Sequence, residues 1–345
     1  MSLLNTRLQE LRVASPNLDK WTNRASRYGA FDVFYSGNQE ADAIVSPELL
    51  ARAASAVGND VKVPVFDSES VSIGSTRSVT IADSENTSQL YTVSFTTYSW
   101  GFTIIPSLYM NNEVGMQADF NRKFQKYLYK FADTLDTACL TALNTNKSQV
   151  FADDLGYDTT GNVITAAAAK GDEILGDLTP IMNANDYYGD YHIVGNTGLM
   201  SQVSKMAEFG NFNQQDKTLQ FLDKNFHFTN RLANEVGSKA TGYVVNSGAV
   251  GLLFRHEREA LLETELPDGT KWDRTVAPML NIPLDTYFYY GKGDYNAIAG
   301  AASADMTRVS KEHYGFAIDV ATVVAYNDDL TAVASPIAKF DITTA

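Results

Sequence analysis

The chain has 345 residues, of which 44% are hydrophobic and 20% charged, a folded rather than a disordered composition, and its length suits two domains or one with large excursions. Its 27 Lys+Arg against 41 Asp+Glu give a formal charge of −14, which argues against tight binding to nucleic-acid backbone, where a basic patch is the usual footprint. A single cysteine, Cys139, excludes an intrachain disulfide and a cysteine-based zinc cage, and no apolar run approaches the roughly 20 residues of a membrane span.

The opening Met1-Ser-Leu-Leu-Asn-Thr-Arg lacks an apolar core long enough for a signal peptide, so a soluble protein made in a reducing cytoplasm is expected. A short amphipathic helix is predicted over Leu3 to Val13. The rest of the segment to about residue 45 is polar and aromatic without a period, carrying Trp21, Tyr28, Phe31, Phe34 and Tyr35, and its aromatics need burial against something else. Ser46 and Pro47 suit a cap and a first helical position, and Leu49, Leu50, Ala53, Ala54 and Val57 line one face up to Gly58.

From Val61 to about Ile105 the period becomes two, through Val61, Val63 and Val65 and later Tyr91, Val93 and Phe95, with Asp67-Ser-Glu-Ser and Asp83-Ser-Glu-Asn-Thr-Ser between. This predicts a long β excursion, paired at its base and polar at its turns. A helix follows over Asn112 to Leu143, with Asn111 or Asn112 as cap and apolar residues at Met116, Phe120, Phe124, Leu128, Phe131, Leu135 and Cys139. At 1.5 Å per residue it reaches about 48 Å, the length of a strut. Arg122, Lys123, Lys126 and Lys130 make part of it basic; Asp119, Asp133 and Asp136 are expected to offset them in ion pairs.

Thr165 to Asn185 reads as a helix, Tyr191 to Val194 as a strand, and Leu199 to Glu208 as a helix after Gly195-Asn-Thr-Gly198. Gly242 to Val245, then Ala249 to Phe254, suggest the same strand–turn–helix grammar. Pro267-Asp-Gly269 reads as a tight turn, Leu284 to Tyr290 as a strand with Gly291-Lys292-Gly293 as the turn after it, His313 to Tyr326 as a long strand, and Ile337 to Ile342 as a final one.

No catalytic constellation emerges. His256-Glu257-Arg258-Glu259-Ala260 starts like a zinc helix motif but has Ala260 where the second histidine belongs. Tyr290-Gly-Lys-Gly-Asp294 lacks the upstream glycine and the Ser/Thr of a phosphate loop. Gly195-Asn-Thr-Gly198 has no nucleophile at its centre. Asp153, Asp154 and Asp158 do not have the spacing of a calcium loop. Cys139 falls on the apolar side of its helix, which predicts a core residue. Neither a metal nor a cofactor is expected.

The order of these parts resembles the major capsid proteins of tailed bacteriophages, the capsid fold shared with encapsulins. Residues 1–58 look like that family's N-terminal arm and short helix, 59–110 like its extended β-hairpin loop, and Asn112–Leu143 like its spine helix. Tyr191-His-Ile-Val-Gly-Asn-Thr-Gly-Leu-Met-Ser-Gln-Val and Gly242-Tyr-Val-Val-Asn-Ser-Gly-Ala-Val-Gly-Leu-Leu-Phe look like units of its axial domain, and Glu312 to Tyr326 like the late strand that returns to its peripheral domain. The resemblance implies an α+β fold, with 111–165 and 305–345 as a peripheral domain and 166–304 as an α/β axial domain. It implies a non-enzymatic protein that assembles with itself as hexamers and pentamers into an icosahedral shell around double-stranded DNA, a virion capsid built in the host cytoplasm. Scaffold, portal and accessory capsid proteins are implied partners, packaged DNA is contacted non-specifically, and no membrane is involved. The acidic balance suits a wall that contains DNA without gripping it.

Trp21, Tyr28, Phe34, Arg77 and Tyr91 are the expected subunit-interface residues. Some relatives join a loop lysine to a neighbour's asparagine. Here no lysine occurs between Lys62 and Lys123, and Arg77 is the only basic residue before Arg122, so a shell without covalent cross-links is expected. The alternatives are an encapsulin-type compartment shell, a cytosolic α/β enzyme with an unrecognised site, and a secreted surface protein.

Overall fold

The computed structural model describes residues 3–15, 27–40, 43–44, 48–49, 51, 60–66, 88–109, 112–148, 152, 155–206, 211–213, 218–221, 224–255, 269–295, 307–325 and 335–344. In chain order the elements are α1 (Leu3–Ala14), α2 (Gly29–Gly37), β1 (Asp60–Phe66), β2 (Ser88–Ser94), β3 (Thr96–Ile104) and α3 (Glu113–Thr145). Next come β4 (Val163–Ala166), α4 (Ile174–Ala184), β5 (Tyr191–Gly195), α5 (Thr197–Met206), β6 (Asn211–Asn213), β7 (Thr218–Phe221), β8 (Lys224–Phe228) and β9 (Ser238–Asn246). The last are β10 (Val250–Arg255), β11 (Lys271–Val276), β12 (Pro283–Tyr295), β13 (Thr307–Val324) and β14 (Ile337–Thr343). Two compact units divide the chain: 1–24, 96–135 and 254–320 form one, and 25–95, 136–253 and 321–345 the other. This division differs from the boundaries read from the sequence, because α3 and β13 each contribute residues to both units.

In the first unit β11, β12, β13 and β3 lie side by side, each antiparallel to the next. The register sets Phe316 opposite Trp100 and Tyr314 opposite Phe102. Phe120 and Phe124 of α3 close on these pairs, with Trp100 and Phe316 stacked at 4.0 Å and Phe102 and Phe120 edge-on at 5.4 Å. Aromatic pairs in these geometries add to the stability gained from burial alone. Leu4, Leu8 and Leu11 of α1 are buried, as their spacing of four and three requires. Arg7 reaches Glu312 at 3.5 Å, and the Tyr314 hydroxyl donates to the same carboxylate at 2.6 Å. A second buried ion pair joins Arg255 to Asp319, at 3.0 Å from Nη2 and 3.2 Å from Nε, and Thr97 donates to the second carboxylate oxygen at 2.6 Å. An ion pair this dry is tolerated only when its remaining lone pairs are also engaged.

The second unit is built on a seven-stranded mixed sheet, in the order β4-β14-β9-β5-β8-β7-β6. Its core gathers Ile174, Leu178 and Ile181 of α4, Leu199 and Val203 of α5, and Ile193, Phe226, Val244 and Phe340 of the sheet. The helix α2 is a sequence surprise. Seven of the nine residues of Gly-Ala-Phe-Asp-Val-Phe-Tyr-Ser-Gly are buried, Asp32 among them, and nine residues are too few for the period to declare itself in the sequence. Asn112 caps α3 by accepting the Gly115 N–H at 2.8 Å. β1 and β2 pair antiparallel from Asp60↔Ser94 to Phe66↔Ser88 and form a separate two-stranded sheet.

Three expectations are corrected. Of the helix expected over Thr165–Asn185, Thr165 and Ala166 lie instead in β4, held parallel to β14, Ala168–Lys170 form a short 3-10 turn, and the α-helix starts only at Ile174. Val250–Phe254 lies in a strand rather than a helix, since apolar runs this short do not declare their period. Gly291-Lys292-Gly293 is not a turn but the interior of β12, opposite Lys311, Ser310 and Val309. Of the helix expected over 46–58 only Glu48, Leu49 and Ala51 are described, all helical. The 67–87 part of the β excursion, Pro267–Asp268 and the His256–Ala260 motif lie outside the described residues.

Candidate functional site

The expected interface residues are placed unevenly. Trp21 and Arg77 lie outside the described residues, and the Tyr91 backbone pairs with Val63 in the β1–β2 hairpin. Tyr28 and Phe34 have no exposed area within the chain. Tyr28 bridges Thr229 and lies under the Arg27 and Arg231 guanidinium groups, at 5.4 and 5.0 Å from its ring centre. Any part these two take in assembly passes through the position of the segment that carries them.

The turn Gly195-Asn-Thr-Gly198 has a structural role. Asn196 Oδ1 accepts the Leu199 N–H at 2.9 Å and caps α5. A Cβ on Gly198 would stand 2.0 Å from the Lys239 carbonyl oxygen. Cys139 is buried, and burial raises its thiol well above the ordinary value, which suppresses thiolate chemistry. Asp158 is exposed and accepts from the backbone and hydroxyl of Thr160. Among the described residues no group of three or more His, Cys, Asp or Glu could hold a metal, and no helix is long and apolar enough to cross a membrane.

Sequence reasoning missed a buried polar relay in the second unit. Glu40 Oε1 meets His192 Nε2 at 2.6 Å, His192 Nδ1 meets His227 Nε2 at 3.1 Å, and His227 Nδ1 meets Asp32 Oδ2 at 2.9 Å. Ser247 donates to the other Glu40 oxygen. Both rings and Asp32 are buried. The strands explain the meeting, because parallel pairing of β5 with β8 sets His192 opposite Asn225, two residues from His227 and on the same face. Burial acts to raise the Glu40 carboxyl, but the hydrogen bonds from His192 and Ser247 outweigh it and hold the group below its usual value. No local motif marks residues 32, 40, 192 and 227; only the topology brings them together.

Beside the relay, Asp136 of α3 is fully buried, accepting the Phe31 N–H at 3.0 Å and the Thr229 hydroxyl at 2.6 Å. Burial pushes its carboxyl up to about 6 against those hydrogen bonds, and the nearby Asp32 adds to the rise.

Asp136 is therefore not the surface partner expected for the basic stretch of α3. Asp119 does pair as expected, at 2.9 Å with Arg122 and 2.8 Å with Lys123. Lys126 and Lys130 have no acidic partner among the described residues. These four cations border a groove of about 700 Å³ in the first unit, whose opposite wall is Gly101–Thr103 of β3. Tyr127 stands in it, 39% exposed, and stacks on Trp100 at 5.8 Å and Phe102 at 5.9 Å.

No protein-family model and no curated protein matches the chain. Among solved structures it is similar to the Cyanophage A-1(L) capsid asymmetric unit, at 12% identity over 88% of this chain and 95% of that one, with a TM-score of 0.49. It is similar to the capsid of Ralstonia phage GP4 at 10% identity over 93% and 92%, TM-score 0.43. A structure from Mycobacterium phage Che8 is similar at 7% identity over 88% and 89%, TM-score 0.45. Over most of its length, this mixed α+β chain is similar in fold to phage capsid structures.

Proposed function

We propose that the chain is the major subunit of a virion capsid, a non-enzymatic protein whose copies gather as hexamers and pentamers and close an icosahedral shell around double-stranded DNA. The observation that carries this reading is the β1–β2 hairpin, whose strands pair with each other and, among the described residues, with no other strand. An isolated two-stranded sheet is marginal in water. Near its base, Val93 and Phe95 share a small cluster with Leu49, Leu253, Ala321 and Val323. The sequence 67–87 beyond the last pair is rich in Ser and Thr and holds no aromatic residue, so neighbouring copies supply what the hairpin lacks. Many such contacts, each modest, become a stable shell through symmetric closure. Trp21, Tyr28, Phe34, Arg77 and Tyr91 belong to the segments that make them. Assembly in the host cytoplasm with scaffold, portal and accessory proteins completes the reading.

Sedimentation of the purified chain, followed by nuclease treatment and extraction of the particles, tests it. Large closed particles holding nuclease-protected DNA are expected. Particles free of DNA would fit an encapsulin-type compartment instead, and a stable monomer would contradict assembly altogether.

A further inference from the structure

We infer that the groove between β3 and the Arg122–Lys130 stretch of α3 binds a nucleic-acid strand through its phosphates, without regard to base sequence. Arg122, Lys126 and Lys130 follow one another at intervals of four residues, so three cations are set about 6 Å apart along one helix face. A row of this kind suits a ligand whose negative charge repeats. Asp119 neutralises part of the charge of Arg122 and Lys123, while Lys126 and Lys130 are exposed and have no acidic partner among the described residues. In a chain of net charge −14, a concentration of unpaired cations runs against the surrounding field and draws anions to the groove.

Tyr127 decides between a nucleic acid and an acidic peptide. Its ring is held parallel to Trp100, at an interplanar angle of 3°, yet remains partly exposed between the lysines. Carboxylates would need only the cations, whereas aromatic surface interleaved with cations is how proteins hold a nucleic-acid strand without reading it. The inference rests on the groove alone, and its success or failure is independent of shell assembly.

The test is fluorescence anisotropy of the full-length, unassembled chain with labelled duplex and single-stranded oligonucleotides, across about 50 to about 200 mM salt. Four phosphate contacts predict a log–log salt slope of about −3 to −4 on the duplex. Lys126→Glu with Lys130→Glu should weaken binding roughly tenfold and reduce the slope by about two. Lys126→Gln with Lys130→Gln should reduce the slope similarly without reversing charge. Tyr127→Ala should weaken single-strand binding more than duplex binding. As a control for net charge, Lys271→Glu with Lys292→Glu changes exposed lysines on β11 and β12 and should leave affinity within about twofold. Equal losses in the control and groove variants would overturn the inference. So would salt-independent binding, or capture of a synthetic 62–90 peptide of this chain in the groove with no binding of either oligonucleotide.

Discussion

His192 and His227 meet ring nitrogen to ring nitrogen at 3.1 Å, so each group of the relay depends on its neighbour for a proton or a lone pair. Replacing His227 by Phe takes the ring partner from Asp32 and from His192 together. The expected loss is about 3 kcal/mol, the scale for breaking a buried charged contact, and urea unfolding at neutral pH measures it; an unchanged midpoint would show that the relay contributes nothing. Asp136 gives a pH-dependent counterpart. Its carboxyl is raised from 3.8 to about 6 in the folded chain, so the folded state holds that proton more tightly than the unfolded state. Its contribution is present in full below about pH 4 and is lost as pH rises through about 6. Asp136→Asn keeps an acceptor for the Phe31 N–H and offers the Thr229 oxygen a donor, with no charge to bury. The stability of this variant relative to the parent should rise between pH 4.5 and 7.5, by at most about 3 kcal/mol. A difference that stays constant with pH would contradict the assignment. Neither group was legible in the sequence. Asp136 fits the expected pattern of ion pairs along its helix, and only the packing of α2 removes it from that pattern.

At the scale of elements, legibility followed length and period. The helix expected over Asn112–Leu143 is observed at Glu113–Thr145, because seven apolar positions in steps of three and four leave one solution and Asn112 fixes its start. The strands near 191, 242, 284, 313 and 337 were equally readable. The nine-residue α2 and the six-residue β10 were not, since segments this short do not declare their period. Glycines mark close approach more reliably than they mark turns. At Gly198 an added methyl would collide with the Lys239 backbone carbonyl, which cannot swing away as a side chain can. Gly198→Ala should therefore cost roughly 1–3 kcal/mol, read as a lowered thermal midpoint in calorimetry, and an unaltered midpoint would show that the seat of α5 on β9 gives way easily. For the β1–β2 hairpin, limited proteolysis within 67–87 should be fast in unassembled chain and slow in particles. Equal rates in both would remove the neighbour's role in ordering it.

Across the whole molecule, α3 and β13 each supply residues to both compact units. A helix and a strand that each supply two units leave no linker in the sequence to mark a boundary. The acidic total likewise concealed a basic groove, because net charge says nothing about where the cations gather. The chain also constrains how subunits are joined. Lys62 is exposed on β1, opposite Thr92, and no lysine follows it before Lys123, so the hairpin beyond its base offers no amine for bond formation. Particles boiled in denaturant should give a single band at the 37.8 kDa chain mass, and a ladder of heavier species surviving reductant would contradict a shell held without covalent bonds. The central claim is that this chain assembles with itself, and electron microscopy of the purified protein tests it most directly. Closed shells of uniform diameter, or rings of five and six subunits, are the predicted result. A field of dispersed single subunits, unchanged as concentration and ionic strength are raised, would contradict it.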